Sequence, residues 1–226
     1  MTDQYYEDAY RSWRSSLHTL MSDASCLALW QERRFGFAHS VGSLLCGPAG
    51  DSPGVTGAVL YGVFIPGTGL CYVGQTQEAD RRLRDLPVGE SHHLANTIPP
   101  ELWERVVVVQ WPALLEKTPA EEQAAAAELG SLICGLALEH MLQLATTPPL
   151  NSRRRHRDGD WRPRNQAQSR SRGANHSAAL PGLWRLTWEA WSDLSARKVP
   201  PNGESVLTTS AGRVVFPATA HESPQH

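Results

Sequence analysis

Two features of this chain demand a chemical reason. Glu139 follows an apolar stretch, residues 132–138, that reads Leu-Ile-Cys-Gly-Leu-Ala-Leu. A carboxylate buried there loses its hydration, which is costly unless a cation or hydrogen bonds replace the lost water. The alternative is a surface position on an amphipathic helix. The second feature is a run of arginines. Between Arg153 and Arg172 there are eight arginines against two aspartates, a net charge of +6. Clustered arginine is the electrostatic footprint of nucleic-acid binding. Its plainer reading is a solvated linker that binds nothing. Net charge over the whole chain is only −2, so the signal lies in the distribution and not in the total.

Upstream, residues 58–65 are apolar, β-branched and aromatic, and residues 70–73 are apolar again. Pro66-Gly67-Thr68-Gly69 separates them, which predicts a β-hairpin. Gly62-Val63-Phe64 on its first strand and Tyr72-Val73-Gly74 on its second resemble the paired motifs of the GIY-YIG nuclease superfamily. The order of polar residues downstream extends the resemblance: Arg82 stands ten residues after Tyr72, and Glu139 stands twelve before the end of Pro148-Pro149-Leu150-Asn151. Together these cover about residues 56–155.

The resemblance implies an α+β fold: a small antiparallel three-stranded sheet flanked by helices. It also implies one chemistry, metal-assisted hydrolysis of a DNA phosphodiester. Tyr72, or a water it polarises, would help activate the nucleophile. Arg82 would neutralise charge on the phosphate, which a planar guanidinium meets through two hydrogen bonds. Glu139 would hold one Mg2+ or Mn2+, and a lone carboxylate suits a hard cation that keeps most of its waters. Gly74, His92, Asn151, Arg153, Arg154 and Arg155 would line the substrate, and His93 would assist catalysis. RNA is a substrate of the same chemistry.

This chain departs from the motif at two places. The first-motif tyrosine is replaced by Phe64, which has no hydroxyl, and the position one helical turn after Arg82 is Leu86 and not histidine. Tyr61 lies three positions before Phe64, hence on the opposite strand face, and is a poor substitute on that ground. Activation then falls to Tyr72, to His92 or His93, or to metal-bound water. A catalytically impaired nucleic-acid-binding module is the competing function. Plainer roles also exist for each residue. Tyr72 suits a strand core, Arg82 a solvated helix face, His92 and His93 a helix start after Ser91, and Asn151 a turn cap.

The elements that must hold these residues can be read in outline. Residues 9–21 and 24–34 have helical periodicity. Residues 77–86 predict a helix, 92–97 a short one, and 120–144 the longest, opened by Thr118-Pro119. Glu104 to Trp111 contains four consecutive valines, the mark of a central strand buried on both faces. Residues 157–179 are polar and aperiodic, which predicts flexibility. Residues 180–198 carry a tryptophan and leucine face expected to dock as a helix, and 205–216 suggest a last hairpin. The expected organisation is a helical extension (1–54), a nuclease-like domain (55–155), an arginine-rich flexible linker (156–179) and a tryptophan-rich C-terminal helix and tail (180–226).

The hydrophobic fraction of 41% supports an ordinary core. Cys26, Cys46, Cys71 and Cys134 show no metal-binding spacing and read as free thiols of a reducing cytoplasm. The acidic N-terminus has no signal-peptide character, and no apolar run reaches the ~18 residues of a membrane span.

Overall fold

The computed structural model describes residues 3–90, 93–155 and 157–220. Two helices open the chain, α1 (Asp3–Leu20) and α2 (Ala24–Cys46). The predicted hairpin follows as β1 (Val59–Ile65) and β2 (Gly69–Thr76), then α3 (Ala79–Asp85), α4 (Leu94–Thr97) and β3 (Arg105–Val109). After α5 (Pro112–Leu115) come α6 (Ala120–Leu129) and α7 (Ser131–Thr146), and then a small ribbon, β4 (Arg153–Arg155) and β5 (Trp161–Pro163). The chain continues through α8 (Arg172–His176), α9 (Pro181–Ala196), β6 (Val206–Thr209), β7 (Gly212–Val215) and α10 (Pro217–Ala220).

The architecture is α+β with one main antiparallel sheet. That sheet has five strands in the order β2-β1-β3-β7-β6, and not the expected three. The C-terminal hairpin supplies the additional two, with Val106 to Val109 of β3 paired against Val215 to Gly212 of β7. β3 is therefore central, as its valines predicted. Val106 and Val108 enter one hydrophobic cluster, Val107 and Val109 the other, and all four are fully buried.

The two faces have different covers. Leu60, Val73, Val107, Val109 and Val214 pack with Leu138 and Leu142 of α7 and with Leu183, Trp191 and Leu194 of α9. Val59, Tyr61, Val63, Val106, Val108 and Val215 pack with Val41 and Leu45 of α2, with Leu83 of α3 and with Leu86 just after it. Arg213 lies on this second face, opposite Val108 and only 1% exposed. Its guanidinium donates to Leu44 O, Gly47 O and Pro53 O at 3.0, 2.6 and 3.1 Å. Those carbonyls include the unsatisfied C-terminal end of α2, where partial negative charge gathers.

Residues 120–144 do not form one helix. Gly130, at φ +77°, ends α6, and α7 departs at 106°. This left-handed backbone is strained for any side-chain-bearing residue. No single helix among the described residues is long and apolar enough to cross a membrane. Within the segment expected to be a flexible linker the structure places β5, which pairs with β4 just before it, and α8, with Arg164 N–H donating to Ser152 O at 2.7 Å and Gln166 Nε2 to Asn151 O at 3.2 Å. Its anchor is Gly173. A Cβ there would stand 2.2 Å from Leu136 O, so α8 lies directly on the α7 backbone.

Candidate active site

Antiparallel pairing decides which tyrosine meets Tyr72. Tyr61 pairs with Gly74 and Val63 with Tyr72, so both tyrosines project from one face. Cys71 then enters as a bulge, and Phe64 pairs with Leu70 on the other face. The rings of Tyr61 and Tyr72 lie 6.2 Å apart at 38°, and the two phenols share a hydrogen bond. Gly74 makes room for this arrangement, since a Cβ at that position would stand 2.6 Å from Tyr61 Oη. The substitute rejected from sequence, Tyr61, is thus the residue that places a second hydroxyl beside Tyr72. Phe64 packs against Trp191, with ring centroids 6.4 Å apart, and lies under the Arg105 guanidinium, 5.3 Å from its ring centre.

Arg82 comes to the tyrosines from α3. Its neighbours Arg81 and Arg84 are exposed and paired with Glu78 and Asp80 at 2.6 and 2.9 Å. Arg82 is half-buried, and its charge favours ionisation of both Tyr61 and Tyr72. Glu139, on α7 beside β2, opposes ionisation of the same two phenols. The paired phenols of β1 and β2 therefore feel both the Arg82 cation of α3 and the Glu139 carboxylate of α7.

Burial dominates the protonation of this group. It pushes the Tyr61 phenol up to about 12, against the pull of Arg82. Tyr72 is pushed higher still, by burial and then by Tyr61 and Glu139. The shared hydrogen bond favours the ionised form of Tyr61 and disfavours that of Tyr72. Burial also lifts Glu139 to about 7, with the Arg164 cation pulling it back. One oxygen of Glu139 accepts from Gln143 Nε2 at 3.1 Å. No group of three or more His, Cys, Asp or Glu converges anywhere among the described residues. The donor set is thus a single desolvated carboxylate beside two phenols. That suits a divalent ion which keeps its waters and takes further ligands from a phosphate, and does not suit an all-protein cage.

The other expected residues fall elsewhere. Asn151 docks on the open edge of β2: its Oδ1 accepts from Val73 N–H at 2.8 Å and its Nδ2 donates to Val73 O at 2.9 Å. With both ends of its amide bonded to that peptide, Asn151 serves as a strand-edge latch, helped by Leu150 N–H donating to Cys71 O at 3.0 Å. Arg153, Arg154 and Arg155 fall in β4, and the Arg153 guanidinium donates to Trp161 O at 2.8 Å. His93 sits exposed before α4 and is not among the groups acting on either phenol. His92 lies outside the described residues. Leu86 is fully buried in the cluster under α3, so the position expected to hold a histidine is a core position.

Sequence reasoning did not single out Arg164, His140 or Gln143. They meet Glu139 in a cleft of about 280 Å³ between α7 and α8, whose walls also include Ser171, Arg172 and Gly173. His140 is 8% exposed, and burial, then Arg164, hold its imidazole below the usual histidine range. Only the density of arginine in the run foreshadowed this wall. No protein-family model matches this chain, and no curated protein or solved structure matches it.

Proposed function

We propose that this protein is a metal-dependent endonuclease that hydrolyses DNA phosphodiester bonds, with Tyr61, Tyr72, Arg82 and Glu139 as its centre. The convergence of those four groups carries the reading. Arg82 brings a fixed positive charge to where negative charge builds on the phosphate. Tyr61 and Tyr72 offer hydroxyls that orient the attacking water. Of the two, Tyr61 is the more readily ionised, because the shared hydrogen bond favours its phenolate and disfavours that of Tyr72. Neither phenol ionises unaided near neutral pH. Glu139 would hold Mg2+ or Mn2+, which when bound supplies the local charge that lowers the acidity barrier of nearby groups and screens the phosphate. The free Cys46, Cys71 and Cys134 thiols in the core support a reducing, cytoplasmic setting.

The impaired-module alternative drew its force from Phe64. Tyr61 beside Tyr72 weighs against that alternative.

The test is cleavage of plasmid DNA and of a matched RNA with Mg2+ or Mn2+ between pH 6 and 9, as a check on ~10²–10⁴-fold effects. Tyr61→Phe and Glu139→Ala should each lose ~10²-fold or more while still binding DNA. Phe64→Tyr should leave the rate unchanged, since that ring faces Trp191. Full activity in Glu139→Ala, or a rate gain in Phe64→Tyr with none lost in Tyr61→Phe, would refute the assignment. Preferential RNA cleavage would keep the centre and change the substrate.

A further inference from the structure

The cleft between α7 and α8 has a chemistry distinct from the tyrosine centre. Its outer wall is cationic, with Arg164 following β5 and Arg172 opening α8. The two aspartates of the arginine run do not reach it, because Arg162 pairs with both Asp158 and Asp160. Among the described residues neither Arg164 nor Arg172 makes a salt bridge to a carboxylate within 4.0 Å, and Glu139, at the floor, is the one acidic side chain lining the cleft. The floor also carries His140, more than nine-tenths buried, with no hydrogen bond to its ring among the described residues. Gln143 and Ser171 add neutral donors. Guanidinium pairs with hydroxyl, amide and imidazole donors recognise an oxyanion, and phosphate above all.

The wall is built and not incidental. Gly173 seats α8 on the α7 backbone, the Ser171 side chain accepts from Ala174 N–H at 3.3 Å, and Gln166 ties the segment back to Asn151. Through Asn151 the same segment is latched to β2, the strand of Tyr72. Cleft and tyrosine centre are thereby held in fixed relation, and they share Glu139.

We propose that this cleft is a second phosphate subsite, in which Arg164 and Arg172 grip the nucleic-acid phosphate neighbouring the one to be cleaved. The proposal rests on the nuclease reading for the identity of its ligand. It assigns to two arginines what the run as a whole suggests only as diffuse attraction. The remaining arginines of the run then serve long-range attraction, and the cleft fixes register.

The test is binding of a short fluorescent DNA duplex to the full chain in EDTA, where no cleavage occurs, followed across about 50–200 mM salt. Arg164→Gln/Arg172→Gln is compared with Arg157→Gln/Arg170→Gln, which removes the same charge from the same run but lies outside the cleft. Thermal melts confirm that both fold. Because the cleft pair shares one phosphate, its loss should flatten the log–log salt slope by about 0.9 and weaken binding about 10-fold at the lower salt, with a smaller loss at the higher. The outside pair should change the slope by less than half as much. Equal losses in the two pairs, or none in the cleft pair, would overturn the subsite. Cleavage with Mg2+ separates the two readings. A protein that binds through the cleft pair yet never cleaves defeats the nuclease and leaves the subsite. One that cleaves with both pairs equal defeats the subsite and leaves the nuclease.

Discussion

At the scale of single residues, burial holds the acids around Tyr72 toward their neutral forms. Tyr61 and Tyr72 are neutral phenols made less acidic by burial, and Glu139 is a carboxyl raised from 4.5 to about 7. A carboxyl whose folded value lies above its unfolded one stabilises the protein fully below about 4.5, and that contribution is lost as pH rises through about 7. The full difference is on the order of 3 kcal/mol. Glu139→Gln keeps the shape without the titration, so it isolates this effect. We expect metal-free wild-type protein to lose stability relative to Glu139→Gln between pH 5 and pH 8, read by denaturant unfolding at each pH. Mg2+ or Mn2+ should reverse the loss in the wild type alone, and its apparent affinity should rise with pH up to about 7 and then level off. A pH-independent difference between the two proteins would show that Glu139 is hydrated in solution and not poised for a cation.

At the scale of elements, the chain was legible where local chemistry and tertiary packing agree. The valine run of β3, the hairpin around Pro66–Gly69 and the tryptophan face of α9 each followed from composition and spacing, because burial on both faces or on one helical stripe leaves a direct mark. Three features left weaker marks. Alanine-rich helix formers on both sides of Gly130 read as one helix, and the bend is visible only in its positive φ. α8 is polar yet packs closely because its backbone makes the contact, through Gly173 on Leu136 O. That Tyr61 and not Phe64 lies beside Tyr72 was not legible, because alternation along β1 puts Tyr61 and Phe64 on opposite faces and sequence alone does not say which face Tyr72 shares. Gly74 was the available clue, since a strand glycine signals close approach by a neighbour. Arg213 is a further case, a cation in an otherwise apolar strand that clamps the end of α2. Arg213→Ala leaves three carbonyls without that donor and should cost about 3 kcal/mol or more. The same substitution should release the 47–53 loop, read as faster amide exchange there. A loss under about 1 kcal/mol would mean that water replaces the guanidinium readily.

At the scale of the whole molecule, elements after residue 155 share the sheet and the core of those before it. β7 pairs along the full length of Val106 to Val109, α9 covers one sheet face with Trp191 and Leu183, and the ribbon returns to Asn151 beside Tyr72. Cutting the chain after residue 155 would expose the hydrogen-bonding edge of β3 and the apolar side chains that α9 and β7 cover, each worth about 1.5–3 kcal/mol when buried. The N-terminus is the reverse case. Along α1 the described side chains are exposed or, at Leu17, half-buried, and Tyr5, Tyr6, Tyr10 and Trp13 contribute nothing to either core cluster. α2 joins the core from Phe37 onward. The two ends should therefore respond oppositely to truncation. Removing residues 1–21 should leave cooperative unfolding intact and shift stability by less than about 1 kcal/mol, whereas removing residues 156–226 or only 205–226 should abolish it or yield aggregates. Circular dichroism melts and size-exclusion profiles of the three truncations decide the matter. A fragment of residues 1–155 that melts cooperatively as a monomer would show that the first three strands suffice, and that the C-terminal hairpin is an accessory to the sheet and not a part of its core.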